Sequence, residues 1–349
     1  MARIADVNFN RAREGLRVVE DVCRLVLEEA ELAASLKELR HRLSLLEERF
    51  PGGRSVLVAA RDTAGDVGAR VAEERYRKDA FALAAAGWKR VQEALRVLEE
   101  VMRTVAGGAA YQAKHIRFDA YDLEKLYYER AGLYQKKNEL SRAHLYFVVG
   151  RADTGGRPLR AVVEEAIAGG ARIVQLREKT NDVREVMPLA RELRAITRER
   201  GVLYIINDRV DIAAAVDADG VHLGQDDLPI EDARRVLGIG KIIGISTHSI
   251  RQAQEAERRG ADYIGVGPVF PTTTKDCTPV GLGLVTEVAK SVRIPFFAIG
   301  GINSANIEQV LQAGACRVAV VSAVAAAPDA RAAAAALYGA IYHGTGGSQ

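Results

Sequence analysis

YIINDRVDIA, residues 204 to 213, joins an apolar run, Tyr204-Ile205-Ile206, to an amide and a carboxylate, Asn207 and Asp208. A short β-branched run that stops abruptly at polar residues reads as a strand in the wall of a buried sheet, with a site beginning where the wall stops. With its leading leucine the run is LYIIND (203 to 208), and seven others share its character: HLYFVVG (144 to 150), RIVQLRE (172 to 178), GVHLGQ (220 to 225), IIGISTH (242 to 248), YIGVGPVF (263 to 270), FFAIGG (296 to 301) and RVAVVSAV (317 to 324). Between them lie stretches such as VREVMPLARELRAITRER and SIRQAQEAERRG, apolar at helical spacing. Gly170-Ala171, Gly260-Ala261 and Gly314-Ala315 each stand just before a strand, as a helix-ending glycine should. Eight such units in about 200 residues are what a parallel (β/α)8 barrel of the TIM type requires. A doubly wound open sheet is the alternative, and the lack of Gly-x-Gly-x-x-Gly after the first strand counts against it.

At 349 residues the chain has length for about two domains. Its 48% hydrophobic and 27% charged residues are those of an ordinary globular protein. A net charge of +3 gives no general attraction to nucleic acid or membrane, and no stretch reaches the roughly 18 apolar residues of a membrane span. The first residues lack a signal-peptide core, and Cys23, Cys277 and Cys316 form no Cys-x-x-Cys pair. These features predict free thiols and a cytoplasmic protein.

The first part has almost no strand signal and contains a repeat. RAREGLRVVEDVCR (11 to 24) aligns without gaps on RVQEALRVLEEVMR (90 to 103). Glu14, Arg17, Asp21 and Arg24 in one copy, and Glu93, Arg96, Glu100 and Arg103 in the other, lie along one helical stripe. The opposite stripe, Leu16, Val19 and Cys23 or Leu95, Leu98 and Met102, reads as a packing face. The expected organisation is an all-α domain over 1–138 followed by the barrel over 139–349, and any self-association is expected through the helical half.

In such a barrel function collects at the C-terminal strand ends. Gln175, Arg177 and Lys179 alternate, so they share one side, and two cations set together call for an anion. A polar layer plugging the barrel is the other reading. Asp208 after the third strand and Asp226-Asp227 after the fourth, at strand tips about 4.8 Å apart in a sheet, can reach one Mg2+, a cation that takes one or two carboxylates plus substrate phosphates. They could equally cap helices or pair with Arg209. The fifth strand ends at Ser246-Thr247-His248, where the imidazole reads as a hydrogen-bonder or cap rather than a base. Thr272, Thr273, Thr274 and Lys275 mark a closing lid or a solvated loop. Gly300-Gly301 and Val321-Ser322 end the last two strands, a common phosphate position. Two phosphate regions, one with metal, imply two phosphorylated small-molecule reactants and transfer of a group off a pyrophosphate.

VQLREK, INDRVD, GVHLGQDDLP, GISTHS, GVGPVFPTTTK, AIGGIN and VAVVSA, in this order from about 144 to 340, resemble the thiamine-phosphate synthase (thiamine-phosphate pyrophosphorylase) family. The resemblance implies condensation of a hydroxymethylpyrimidine pyrophosphate with a hydroxyethylthiazole phosphate, releasing pyrophosphate. It places the pyrimidine pyrophosphate on Gln175, Leu176, Arg177, Glu178, Lys179, Asn207, Ser246 and Lys275, and Mg2+ on Asp208 and Asp227. The thiazole phosphate falls to Thr272, Thr273, Thr274, Gly301, Val321 and Ser322, with Arg177, Lys179 and Lys275 stabilising the departing anion. NFNRAREGLRVVED (8 to 21), AARDTAGDVG (59 to 68) and VQEALRVLEE (91 to 100) resemble a domain fused ahead of this synthase in some bacteria and proposed as a hydroxymethylpyrimidine-phosphate kinase. Asn10, Arg13, Glu14, Arg61, Asp62 and Thr63 would form its site, yet no Gly-x-x-x-x-Gly-Lys-Ser/Thr loop is present, so a scaffold stands as the alternative. For the barrel the rivals are a thiazole tautomerase and a non-catalytic sensor of a precursor.

Overall fold

The computed structural model describes residues 1–66, 76–180, 182–272 and 278–344. The chain divides into two compact units, Met1–Gly132 and Leu133–Gln349.

The first unit is helical: α1 (Ala2–Leu25), α2 (Ala30–Glu48), α3 (Gly53–Ala59), α4 (Ala80–Val105) and most of α5 (Gly107–Arg142). The two copies of the repeat fall on α1 and α4, which pack against each other. Leu16, Val19, Cys23, Leu95, Leu98 and Met102 are fully buried, so the apolar stripe is the packing face. The charged stripe faces outward and is laced by ion pairs one helical turn apart, Arg17–Asp21 (3.3 Å) on α1 and Arg96–Glu100 (2.8 Å) on α4.

In the second unit β1 (Leu145–Val149), β2 (Ile173–Leu176), β3 (Leu203–Asn207), β4 (Gly220–Leu223), β5 (Ile242–Thr247), β6 (Tyr263–Val266), β7 (Phe296–Ile299) and β8 (Val318–Val320) alternate with helices, among them Val183–Arg200, Ile250–Arg258 and Ser322–Ala325. The strands are parallel and close on themselves in sequence order, β8 pairing β1 through Leu145 and Val318. That pairing excludes the open sheet. Gly170, Gly260 and Gly314 sit at φ +111°, +86° and +100°, left-handed positions that glycine adopts without Cβ strain as each helix ends.

Side chains alternate across the wall. Val174, Leu176, Tyr204 and Ile206 face outward into the layer packed by helices, whereas Ile173, Leu203, Ile205, Tyr263 and Phe297 fill the interior. The last turns of α5 belong to this interior: Leu133, Leu140 and Ala143 join it. Lys137 Nζ lies 2.8 Å from Asp262 and Lys136 Nζ 3.9 Å from Asp219, just before β6 and β4. The N-terminal end of the barrel is thereby occupied, and its other end carries the site. Among the described residues no helix is long and apolar enough to cross a membrane.

Candidate active site

A cavity of about 260 Å³ opens at the C-terminal ends of the strands. Gln175 and Arg177 line it together, as the alternation on β2 requires, with Asn207 and Asp208 from β3, Asp227 after β4 and Ser246 on β5. Thr272, Gly301, Val321 and Ser322 close the opposite side. Leu176, Glu178 and Lys179 are not in this lining: Leu176 is buried in the outer layer, Glu178 accepts from Arg151 N–H at 2.7 Å, and Lys179 is exposed. Thr273, Thr274 and Lys275 lie outside the described residues.

The donors of this mouth suit a hard cation beside an anion. Asp208 holds φ +59°, a sparsely populated conformation for a residue with a Cβ, while its N–H donates to the His222 carbonyl at 2.8 Å. The strand-to-loop reversal at β3 is thus made on a carboxylate that borders the cavity. Asp227 Oδ2 accepts from Gly224 N–H at 2.7 Å, which fixes that carboxylate at the same mouth. Two carboxylates from neighbouring strands are the hard oxygen ligands magnesium takes when substrate phosphates supply others. Arg177 Nη1 is buried with no hydrogen-bond partner among the described residues. A buried cationic donor without an acceptor is costly, and an anion in this cavity would satisfy it.

His248 serves the scaffold: its N–H donates to Gln252 Oε1 at 2.7 Å, and its Nδ1 meets the Gly267 carbonyl. Three polar lining residues escaped sequence reasoning, namely Tyr146, His222 and Tyr263. His222 Nε2 is 3.0 Å from Ser246 Oγ, and the Tyr146 hydroxyl donates to Gln175 Oε1 at 2.7 Å. Their signal was present only as polar atoms inside apolar runs.

In the helical unit Arg61 donates to both oxygens of buried Asp6 (2.8 and 2.7 Å), and Arg13 pairs with Glu47 and donates to Asn10 at 3.1 Å. The Arg61 hydrogen bonds hold the Asp6 carboxyl below its usual range, against the upward push of burial. Asn10, Arg13 and Arg61 are therefore gathered into one cluster. Asp62 pairs with Arg3 at 3.4 Å, and Glu14 and Thr63 are exposed.

Fold and site together define a (β/α)8 barrel with a charged mouth at the C-terminal ends of its strands, preceded in the sequence by a helical unit. Residues 145–324 match the family described as thiamine monophosphate synthase, and residues 3–126 match the ThiD2 family. The chain is 44% identical over 332 residues to a thiamine-phosphate synthase of Synechococcus sp. (strain WH7803), covering 94% of this chain and 93% of the relative. It is 45% identical over 331 residues to that of Synechocystis sp. (strain ATCC 27184 / PCC 6803 / Kazusa), covering 93% and 91%. Among solved structures, a thiamine phosphate pyrophosphorylase from Pyrococcus furiosus matches with 42% identity and a TM-score of 0.55, over 60% of this chain and 99% of that one. The chain belongs to the thiamine monophosphate synthase family.

Proposed function

We propose that the barrel condenses 4-amino-2-methyl-5-hydroxymethylpyrimidine pyrophosphate with 4-methyl-5-hydroxyethylthiazole phosphate, giving thiamine phosphate and pyrophosphate. The observation that carries this reading is the buried Arg177 Nη1, without a hydrogen-bond partner among the described residues, at the same mouth as the Asp208 and Asp227 carboxylates. A donor for an anion beside ligands for a cation is the chemistry of a metal diphosphate. A tautomerase has no use for it, so this pairing favours the synthase, as does the family.

Asp208 and Asp227 would hold Mg2+, which supplies neutralising charge to the diphosphate. Arg177 would grip the diphosphate as the C–O bond to the pyrimidine methylene breaks and the bonding pair leaves with it. Lys179 and Lys275 add positive charge to the same anion. Gln175, Asn207 and Ser246, with the 175–179 backbone that includes Leu176 and Glu178, orient the pyrimidine, while Thr272, Thr273, Thr274, Gly301, Val321 and Ser322 hold the thiazole phosphate. The thiazole nitrogen then shares its lone pair with the methylene carbon, and no protein nucleophile is required. We read the protein as a cytoplasmic enzyme of small phosphorylated substrates.

The full chain, given both precursors and Mg2+, should release thiamine phosphate and pyrophosphate; binding without product sinks the enzymatic reading. A chelator, or Asp208→Ala with the fold intact by circular dichroism, should abolish turnover, and undiminished turnover overturns the metal assignment. For the helical unit we infer a pyrimidine-phosphate kinase, supported by the family match over residues 3–126 and by the Asp6, Arg13 and Arg61 cluster. Replacing the pyrimidine pyrophosphate by its monophosphate and ATP extends the same assay to it. Product is expected, and no ATP consumption leaves a scaffold.

A further inference from the structure

The repeat in the helical unit separates scaffold from site. Residues 11–24 of α1 align on 90–103 of α4, and the correspondence extends into the helices that follow. Buried Glu20 accepts from Arg40 Nε of α2 at 2.8 Å, and buried Glu99 accepts from Arg117 Nε of α5 at 2.8 Å. Two turns further along these helices Glu47 meets Arg13, and Glu124 meets Gln92, the residue aligned with Arg13. Arg42 and Asp119, which follow Arg40 and Arg117 at the same spacing, pair with each other at 2.6 Å, as equivalent positions do beside a two-fold axis. The unit is therefore built of two copies of one helical hairpin. Whatever both copies carry suffices for that hairpin to fold.

The copies differ at one end. Asp6, Asn10 and Arg13 stand where α4 has Ala85, Lys89 and Gln92, and Arg61 lies just past α3 in the segment that joins the copies, so it has no counterpart. These side chains form one cluster. Arg61 Nε and Nη2 donate to the two oxygens of Asp6 at 2.8 and 2.7 Å, Asn10 Nδ2 approaches Asp6 Oδ1 at 3.4 Å, and Arg13 Nη1 donates to Asn10 Oδ1 at 3.1 Å. A buried acid gripped by arginine is weak as a source of stability, because apolar residues often replace such a pair without loss. The second copy makes that replacement with Ala85. The cluster is thus surplus to the fold. A guanidinium has five N–H donors; among the described residues Arg61 commits two to Asp6, and Arg13 commits one each to Glu47 and Asn10. The others can meet an anion, on planes that the acids hold still.

We propose that Arg13 and Arg61 clamp the phosphate of the pyrimidine monophosphate while it receives a phosphoryl group from ATP, with Asp6 and Asn10 as positioning residues and the second hairpin as scaffold alone. The inference rests on the kinase reading of this unit. In the transfer the bond between the γ-phosphorus and the β,γ-bridging oxygen breaks and its electron pair leaves with ADP. A phosphate oxygen of the monoester supplies the pair for the new P–O bond. That acceptor already carries about −1.5 to −2 charge at pH 7, so no general base is needed. What the reaction needs is cover for two anions brought together, and two pinned guanidinium groups supply it. Glu14 then falls outside the site, since Glu93 repeats it in the copy without the cluster.

The test is ATP consumption by the full chain with the pyrimidine monophosphate as acceptor, measured beside the urea midpoint of Trp88 fluorescence, which reports the helical unit. Arg13→Gln installs the residue of the second copy and keeps a partner for Glu47. It should leave the midpoint in place while kcat/KM for the acceptor falls by about 10²–10³-fold. Arg61→Gln should lose as much. Asp6→Ala, which copies Ala85, should lose roughly 10-fold, and adding it to Arg61→Gln should lose nothing further, because Asp6 acts only through that guanidinium. Arg117→Met breaks a pair that both copies share; it should lower the midpoint and leave kcat/KM at low urea near normal. Near-normal kcat/KM in Arg13→Gln or Arg61→Gln overturns the inference, as does a loss in Arg117→Met as large as theirs. If Arg13→Gln does not fold, Arg61→Gln is read in its place. An unsubstituted chain that consumes no ATP overturns the kinase reading and this inference together, whereas consumption undiminished in the variants overturns this one alone.

Discussion

If Arg177 grips the diphosphate it is set against itself, since its buried Nη1, without an acceptor among the described residues, lowers stability. Two substitutions separate those effects. Arg177→Met removes the orphaned donor and should raise stability by about 1–3 kcal/mol in urea unfolding, while eliminating activity. Arg177→Lys keeps the charge but loses the planar fork, and should lower kcat by about 10²–10³-fold. Unchanged stability in the first variant, or near-normal kcat in the second, would detach Arg177 from the diphosphate. Residues of this kind were visible in the sequence as candidates, because a cation or carboxylate at a strand tip stands out once the barrel is recognised, although a polar plug or a helix cap was open as well. Tyr146 and Tyr263 were not. Each sits inside an apolar run where an aromatic ring reads as wall, and only closure of the barrel brings their hydroxyls within 2.8 Å across 117 residues of chain.

At the scale of elements, the repeat shows how far periodicity reaches. The spacing on α1 and α4 gave the charged stripe and the apolar stripe, and both stand as expected. It did not distinguish Glu99 from its neighbour Glu100, since adjacent acids differ only in what packs over them. Glu99 is buried and accepts from Arg117 Nε at 2.8 Å and Arg103 Nη2 at 2.8 Å; in the other copy buried Glu20 accepts from Arg40 Nε at 2.8 Å. Each repeat thus buries one acid against an arginine from the helix that follows, α2 or α5. Burial alone would raise the Glu99 carboxyl; the hydrogen bonds of Arg117 and Arg103 with the charge of Arg96 outweigh it and hold the group below its usual range. A depressed carboxylate stabilises the fold above its unfolded value of about 4.3 and loses that contribution as pH falls through the folded value. Arg117→Met keeps bulk over Phe118 but leaves the acid to Arg103 and Arg96, and should cost about 1.5–3 kcal/mol at pH 7. The difference from the unsubstituted protein should shrink on acidification toward pH 3. Trp88, buried in α4 and the chain's one tryptophan, reports both. Equal unfolding midpoints at pH 7 would show that the pair contributes nothing.

For the whole molecule, the family match over the barrel begins at residue 145, but the compact unit begins at Leu133, ahead of the expected 138/139 division. The reason is physical: Leu133, Leu140 and Ala143 pack into the barrel interior, so α5 finishes as part of the second unit's core. The charged stretch of residues 131 to 143 has no clear period and hid this, because Asp219 and Asp262, the partners of Lys136 and Lys137, come up beneath the strands only when the barrel closes. Leu140 is fully buried and does not line the cavity, so it separates the stability of the barrel from its chemistry. Leu140→Ala in the full chain should remove about 2–5 kcal/mol from the barrel, through lost transfer energy and the hole left behind. Loss of thiamine phosphate formation should then occur at lower urea, while kcat measured well below that midpoint stays near normal. The Trp88 signal, which belongs to the helical unit, serves as the internal reference in the same titration. An activity midpoint unmoved by Leu140→Ala would mean that the end of α5 is no part of the barrel core. A fall in kcat at low urea would instead mean that packing at the N-terminal end of the strands sets the geometry of the mouth.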